Sequence, residues 1–279
     1  MRLAVLNRLA LKNHKMNILD KIIAAKKEEL THQKTVVDVE VLMKIPDFNR
    51  KCISLKANLL KKGSSGIIAE FKQKSPSKGE INISAKVEEV TKAYVDAGVS
   101  GLSVLTEPKF FGGSQANLVK ARETNPEIPI LRKDFMIDPY QLIEAKAYGA
   151  DVILLIAACL ERKQAEMLAK DTKNLGMEVL MEIHEEEELE KLNDFVDIVG
   201  VNNRDLKTFT MDVETSVRLS KLIPEQFVKI SESGLDSAKT IHYLRENGFK
   251  GFLIGETFMK TENPGETCRK FIAELKNEL

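Results

Sequence analysis

Eight short apolar runs follow one another along the chain. Each run is four to six residues long, apolar at nearly every position and rich in Val, Ile and Leu. Such runs are typical of strands that are buried on both faces of a parallel sheet. The predicted strands cover residues 67–71, 101–106, 128–132, 151–156, 178–183, 198–202, 227–231 and 252–255.

The stretches between these runs have the 3.6-residue periodicity of amphipathic helices. Asp138-Pro139 is a helix-starting pair, and Gly149 is placed to end the same helix shortly before the next strand. Eight strands that alternate with helices predict an α/β fold, a (β/α)8 TIM barrel. The alternative is a doubly wound open sheet, which normally has a glycine fingerprint after its first strand, and residues 71–75 lack one.

The region before the first strand predicts an N-terminal helical extension. Amphipathic periodicity begins at Ile18, and a second helix is expected over 54–62, ending at Gly63. Periodicity leaves open whether these helices close the bottom of the barrel or shape its mouth. Residues 1–15 are basic and lack acidic side chains, so we expect a disordered leader or an extended start. Residues 16–279 are expected to form one catalytic barrel that includes the extra helices at about 16–62.

Composition excludes several classes of protein. The 279 residues carry 42 basic and 42 acidic side chains, so the basic excess of a nucleic-acid binder is missing. The apolar runs are far shorter than the ~20 residues that span a membrane. Cys52, Cys159 and Cys268 form neither a disulfide framework nor a metal-binding spacing. We therefore expect a cytoplasmic protein that binds neither nucleic acid nor membrane.

Charged side chains stand at the carboxyl ends of the predicted strands, where this fold places its active sites. Glu70 and Lys72 share one face of the first strand, and Lys133 and Glu182 end the third and fifth. A buried charge is costly without a partner. Charged side chains that converge at the mouth of one barrel therefore indicate a functional site. Lysines close to carboxylates suit general acid–base catalysis. His184 shares the parity of Glu182, but a lone histidine is more often a packing residue, and we leave it outside the catalytic set.

Small-residue turns follow the last two predicted strands. Ser233-Gly234 and Gly255-Glu256 stand where this fold usually binds phosphate, since glycine lets the backbone approach an anion closely. Lys72 and Arg204 are candidates for the positive charge beside that phosphate or a second anionic group. The other reading is that the glycines only permit tight turns.

Seven ordered motifs resemble the indole-3-glycerol-phosphate synthase family, from about Met16 to the C-terminus. No motif departs from the family pattern at a position that the chemistry needs. The motifs are IAEFKQKSPSKG at 68–79, LSVLTE at 102–107 with FFGGS at 110–114, LRKDF at 131–135, MEIH at 181–184, GVNNRDL at 200–206, SESG at 231–234 and LIGE at 253–256.

The resemblance implies a carboxy-lyase of tryptophan biosynthesis that makes indole-3-glycerol phosphate, CO2 and water from 1-(2-carboxyphenylamino)-1-deoxyribulose 5-phosphate. It implies no cofactor, no metal and a small phosphorylated substrate. We expect a monomer that can associate with other enzymes of the pathway. The resemblance also implies roles for residues. The catalytic set is Glu70, Lys72, Lys133, Glu182, Asn202 and Ser233, the substrate-binding set is Ser75, Arg204 and Glu232, and the phosphate-binding set is Gly234, Gly255 and Glu256.

Within the catalytic set, the resemblance makes Lys133 the acid for ring closure and Glu182 the base for dehydration. Lys72 is the second acid, Glu70 and Asn202 orient these groups, and Ser233 lines the substrate. Three other functions remain open: an aldolase-like enzyme with a Schiff-base lysine at Lys133 or Lys72, a non-catalytic sugar-phosphate-binding protein, and one module of a multienzyme complex.

Overall fold

Eight parallel strands close into a barrel in the computed structural model of the chain, which describes residues 17–206 and 208–277. Each strand pairs with its neighbours in chain order, and β1 pairs with β8 through the register of Ile67 with Phe252. This closure confirms the (β/α)8 barrel and excludes the open doubly wound sheet. The strands are β1 (Ile67–Phe71), β2 (Gly101–Leu105), β3 (Ile130–Lys133), β4 (Val152–Ile156), β5 (Glu178–Ile183), β6 (Ile198–Asn202), β7 (Val228–Glu232) and β8 (Gly251–Ile254).

β1, β5 and β6 have the predicted bounds, and the ends of the other five strands differ from the predicted ones by one or two residues. β3 begins after Pro129, which has no N–H to donate, and extends to Lys133 instead of ending at Arg132. β7 likewise extends to Glu232. Lys133 pairs with Leu105 of β2, and Glu232 pairs with Asn202 of β6. Both side chains are therefore held by the sheet and not by the loops that follow it.

Helices surround the barrel. Asp138 caps its helix with a capping box, and Gly98, Gly149, Gly176 and Gly248 end helices with φ between 76° and 92°, as their spacing predicts. The α-helices are α1 (Ile18–Val36), α2 (Val39–Leu42), α3 (Leu55–Leu60), α4 (Val87–Asp96), α5 (Pro108–Phe111), α6 (Gln115–Thr124), α7 (Pro139–Ala147), α8 (Arg162–Asn174), α9 (Glu214–Ser220), α10 (Ala238–Glu246), α11 (Glu256–Met259) and α12 (Pro264–Asn277). Short 3-10 helices cover Pro46–Asn49, Ala157–Cys159 and Glu186–Lys191, and a small hairpin pairs Lys74–Ser75 with Gly79–Glu80.

The predicted N-terminal extension divides between the two ends of the barrel. Leu55 and Leu59 of α3 are buried against the barrel interior at the amino ends of the strands. A β-carbon added at Gly101 or Gly251, the first residues of β2 and β8, would lie 2.6 Å or 3.1 Å from these leucines. The glycines thus make room for α3, which closes the bottom. The apolar face of α1 instead lines the cavity at the mouth.

Helix α1 is attached to β3 by a buried ion pair. The Lys26 ammonium lies 2.9 Å from Asp134 Oδ1, and both side chains are almost fully buried. Asp134 also accepts a hydrogen bond from Thr106 at 2.6 Å and contacts Arg132 at 3.3 Å. Burial opposes the charged form of Asp134, but the two cations outweigh it and lower the pKa of this carboxyl. The network fixes one wall of the mouth to the residue that follows Lys133.

Among the helices in residues 17–206 and 208–277, none combines the length and apolar character that a bilayer crossing requires. The predicted leader at 1–15 lies outside the described residues.

Replacing Lys26 with Met should destabilise the protein by about 3 kcal/mol, the lower end for breaking a buried ion pair, because Arg132 still compensates Asp134. Urea unfolding measures this loss. Lys27→Met, at an exposed position of the same helix, is the matched control and should change stability by about 0.5 kcal/mol or less. Equal stability of the two variants would contradict the assigned role of the ion pair.

Candidate active site

A cavity of about 370 Å³ opens at the carboxyl ends of the strands. Its walls come from the ends of the strands, the loops that follow them and α1. All the residues that the sequence analysis selected line this cavity: Glu70, Lys72, Ser75, Lys133, Glu182, Asn202, Arg204, Glu232, Ser233, Gly234, Gly255 and Glu256.

The charged residues of the cavity continue the apolar rows of the barrel interior. Leu131, Leu180 and Ile230 belong to the interior apolar cluster, and Lys133, Glu182 and Glu232 follow them two positions later. Since side chains alternate between the two faces of a strand, these three charges project inward. They form the layer directly above the apolar core.

Lys133 stands at the centre of the charged layer. Its ammonium lies 2.8 Å from Glu182 Oε2 and 2.6 Å from Glu232 Oε2. Burial opposes the charge on Lys133, but the two carboxylates outweigh it and raise the pKa of this lysine above its ordinary value. An ammonium has three N–H donors, so one remains for a substrate oxygen.

Glu182 is held by partners on both of its oxygens. Lys133 binds Oε2, while the Asn202 side-chain amide donates to Oε1 at 3.1 Å. His184 Nε2 lies 3.3 Å from the same Oε1. Burial would raise the pKa of Glu182, but Lys133 and His184 outweigh it and lower that pKa, so the carboxylate is ionised at neutral pH.

Glu232 has the opposite balance. Its carboxyl is 2% exposed, and burial together with the charge of Glu182 raises its pKa to about 7 despite the contact with Lys133. A β-carbon added at Gly200 would lie 2.5 Å from Glu232 Oε1. The Glu232 carboxyl can therefore occupy this position only if residue 200 is glycine. The sequence analysis did not detect this relation.

A second acid–base pair lies on β1 and its loop. Lys72 Nζ is 3.0 Å from Glu70 Oε1, and the Ser103 hydroxyl donates to Glu70 Oε2 at 3.2 Å. A β-carbon at Gly255 would lie 2.7 Å from Glu70 Oε1. The glycine after β8 thus makes room for a carboxylate, besides permitting a turn.

The predicted phosphate turns lie side by side above β7 and β8. Ser233 and Gly234 have φ of 68° and 73°, so successive residues are left-handed, and Ser233 is strained as a non-glycine residue. Asn203 holds this turn by donating to the Ser233 carbonyl at 3.0 Å. Arg204 donates to the Ser77 hydroxyl at 3.1 Å, and the Glu256 carboxylate lies 3.6 Å from Arg204.

The apolar half of the cavity was not assigned from the sequence. Ile18, Leu19 and Ile22 of α1 face Phe111 and Phe135, whose ring centroids are 6.0 Å apart. The sequence signals were the apolar face of α1 and the aromatic residues inside the FFGGS and LRKDF motifs. Asn203 was also missed, because nothing in a single sequence distinguishes a buried amide from an exposed one.

Metal and disulfide sites have little support in the described part of the chain. No group of three or more His, Cys, Asp or Glu side chains there has an arrangement that would hold a metal ion. Cys52, Cys159 and Cys268 are free thiols.

Comparisons with known proteins decide the family. The family model for indole-3-glycerol phosphate synthase matches residues 19–271. An indole-3-glycerol phosphate synthase of Bacteroides thetaiotaomicron is 47% identical over 260 residues, which cover 93% of this chain and 99% of that protein. The chain belongs to the indole-3-glycerol phosphate synthase family. This confirms the resemblance and makes the protein a carboxy-lyase of tryptophan biosynthesis.

Other relatives agree with this assignment. The indole-3-glycerol phosphate synthase of Salinibacter ruber is 41% identical, covering 94% of this chain and 97% of that protein. Among solved structures, 3-hexulose-6-phosphate synthase from Salmonella typhimurium matches with a TM-score of 0.61 at 13% identity, over 77% of this chain and 100% of that one. A tryptophan synthase α-subunit from Pyrococcus furiosus matches with a TM-score of 0.58 at 16% identity, over 77% of this chain and 98% of that one. These structures support the barrel fold of the synthase family.

Gly200→Ala should displace the Glu232 carboxyl, because the new methyl group would lie 2.5 Å from its Oε1. Misplacing an active-site group by about 1 Å costs about 10²-fold in turnover, and steady-state kinetics measures this loss. The control is Gly176→Ala, a positive-φ glycine with open space that lies away from the cavity. It should lower stability by about 1 kcal/mol and leave turnover unchanged. Full turnover in Gly200→Ala would contradict the constraint.

Glu232 should make substrate binding depend on pH near neutrality. Since the pKa of Glu232 is raised to about 7, the carboxyl is neutral at pH 6 and gains a negative charge by pH 8. The negative charge should repel an anionic substrate by about 1 kcal/mol. The ratio of the wild-type KM to the KM of Glu232→Gln should therefore rise about fivefold between these pH values. Ionisation of the substrate phosphate cancels in this ratio. A constant ratio would show that Glu232 does not titrate there.

Proposed function

We propose that the cavity binds 1-(2-carboxyphenylamino)-1-deoxyribulose 5-phosphate between an apolar end and a phosphate end. The carboxyphenyl ring packs against α1, Phe111 and Phe135, which offer the apolar surface that an aromatic ring needs. The phosphate binds the backbone at Ser233-Gly234 and Gly255-Glu256, with Arg204 nearby. The ribulose carbons then lie over the charged layer that Lys133, Glu182 and Glu232 form.

Lys133 is the acid for ring closure in this proposal. The aromatic carbon is a weak nucleophile, so the ribulose carbonyl must be protonated as the new carbon–carbon bond forms. Lys133 supplies this proton from its charged form, which the two carboxylates stabilise. The same positive charge attracts the substrate carboxylate. Carbon dioxide then leaves, and its bonding electrons flow toward the anilinic nitrogen.

Dehydration requires a base and a second acid. Glu182 removes a proton from the ring-closed, decarboxylated intermediate, since its low pKa keeps the carboxylate ionised at neutral pH. Lys72 assists the departure of hydroxide, and Glu70, 3.0 Å away, orients it. Asn202 orients Glu182, while Ser75, Ser233 and Glu232 contact the substrate. The observation that carries the proposal is the Lys133 ammonium in contact with two interior carboxylates.

A Schiff-base aldolase has less support from this geometry. A lysine that attacks a carbonyl must be neutral, whereas the two carboxylates outweigh burial and raise the pKa of Lys133. Borohydride in the presence of substrate should therefore trap no covalent adduct. A trapped adduct at Lys133 or Lys72 would favour the aldolase.

The wider organisation is part of the same proposal. Residues 16–279 act as one catalytic barrel, and residues 1–15 are a leader or an extended start. The protein acts as a cytoplasmic monomer that can associate with other enzymes of the pathway. The three free thiols suit a reducing compartment. Light scattering of the purified protein tests the monomer.

Lys133→Met should reduce turnover by about 10²- to 10⁴-fold, the usual contribution of a general acid, while the product still binds through its phosphate. The assay adds the carboxyphenylamino-deoxyribulose phosphate and follows indole fluorescence, which no tryptophan of the protein obscures. Lys92→Met, on the exposed surface of α4, is the matched control and should keep the wild-type rate. A wild-type rate in Lys133→Met would overturn the role of Lys133, and no indole from the wild-type protein would overturn the proposed function.

A further inference from the structure

His184 follows the last residue of β5 and is buried between two carboxylates. Its Nε2 lies 3.3 Å from Glu182 Oε1, and its Nδ1 lies 3.6 Å from Glu188 Oε2. Glu188 is itself fixed, because its Oε2 accepts the backbone N–H of His184 at 2.6 Å. The imidazole therefore has one carboxylate on each side and little contact with water, since the residue is 9% exposed.

The groups around the imidazole favour its charged form. Burial lowers the pKa of His184, but Glu188 and Glu182 outweigh it, with Glu232 of β7 adding to them, and the pKa is raised. Cys159 lies in the same region on the turn after β4, and burial raises its pKa so that the thiol stays neutral. Lys191, the nearby cation, is bound to the Ala157 carbonyl at 2.8 Å.

We propose that His184 is a positioning residue that, in its charged form, keeps Glu182 ionised and fixes the orientation of its carboxylate. Two groups, His184 and the amide of Asn202, then engage Oε1 of Glu182. The other oxygen, Oε2, contacts Lys133 and is the one left to accept the substrate proton. The inference rests on the proposed role of Glu182 as the base for dehydration. It reverses the expectation that His184 only packs.

The first test is the pH profile of kcat/KM for the wild type, His184→Gln and His32→Gln. An opposite charge within about 4–6 Å lowers a carboxyl pKa by at least about 1 unit. Losing the His184 charge should therefore raise the pKa of Glu182 and move the acid limb of the profile upward by about 1 pH unit. His32→Gln is the matched control, since it makes the same substitution at an exposed position of α1. Its acid limb should not move upward. An unmoved limb in His184→Gln would overturn the proposal.

The second test needs no activity and no folded His184 variant. The chain has only four histidines, so their ring resonances can be followed by NMR through a pH titration of the wild-type protein. One imidazole should have a pKa above the ordinary value for histidine. The pKa of that imidazole should fall in Glu182→Gln, where one carboxylate partner is lost. Four imidazoles that all titrate at about 6.5 or below would overturn the proposal.

The two proposals fail in different ways. If Glu182→Gln keeps the wild-type rate, Glu182 is not the base and the proposed mechanism is wrong, whatever His184 does. If Glu182→Gln is inactive but the acid limb of His184→Gln is unmoved, only the inference about His184 is wrong.

Discussion

Buried charge must be compensated by nearby charge, and this constraint organises the upper half of the barrel. Removing an ion from water costs several kcal/mol unless partners replace the lost solvation. Lys133 therefore needs Glu182 and Glu232, and Glu182 in turn needs Asn202. The compensation is unequal, since the pKa of Glu182 falls while that of Glu232 rises to about 7. Two chemically identical side chains thus become one ionised carboxylate and one carboxyl that titrates near neutrality.

The N-terminal extension contributes to both ends of the barrel. Helix α3 closes the bottom with leucines, which is a matter of stability only, because the active site lies at the other end. Helix α1 brings apolar side chains to the mouth and is fixed there by the buried pair of Lys26 and Asp134. The apolar wall and the charged layer are therefore joined at consecutive residues of β3, Lys133 and Asp134. The helix is thus anchored one residue away from Lys133.

Sequence reasoning recovered the barrel and the members of the cavity for an identifiable physical reason. Strand side chains alternate strictly, so a charge two positions after an interior leucine, as in Leu131 and Lys133, must project into the mouth. It did not recover the pairing of those charges, because which carboxylate contacts which ammonium depends on the register between strands. It also left the place of α1 open, because periodicity identifies the apolar face of a helix but not the surface that the face covers. The start of β3 was predicted two residues too early, because the strand begins only after Pro129.

Two glycines link positions that are distant along the chain. The side chain of Glu232 occupies the space that a β-carbon at Gly200 would need, and Glu70 does the same at Gly255. Each carboxylate therefore keeps its position only while the partner position is glycine. A lineage that shortened either glutamate would free the matching glycine to vary, so these pairs should change together or stay together among relatives.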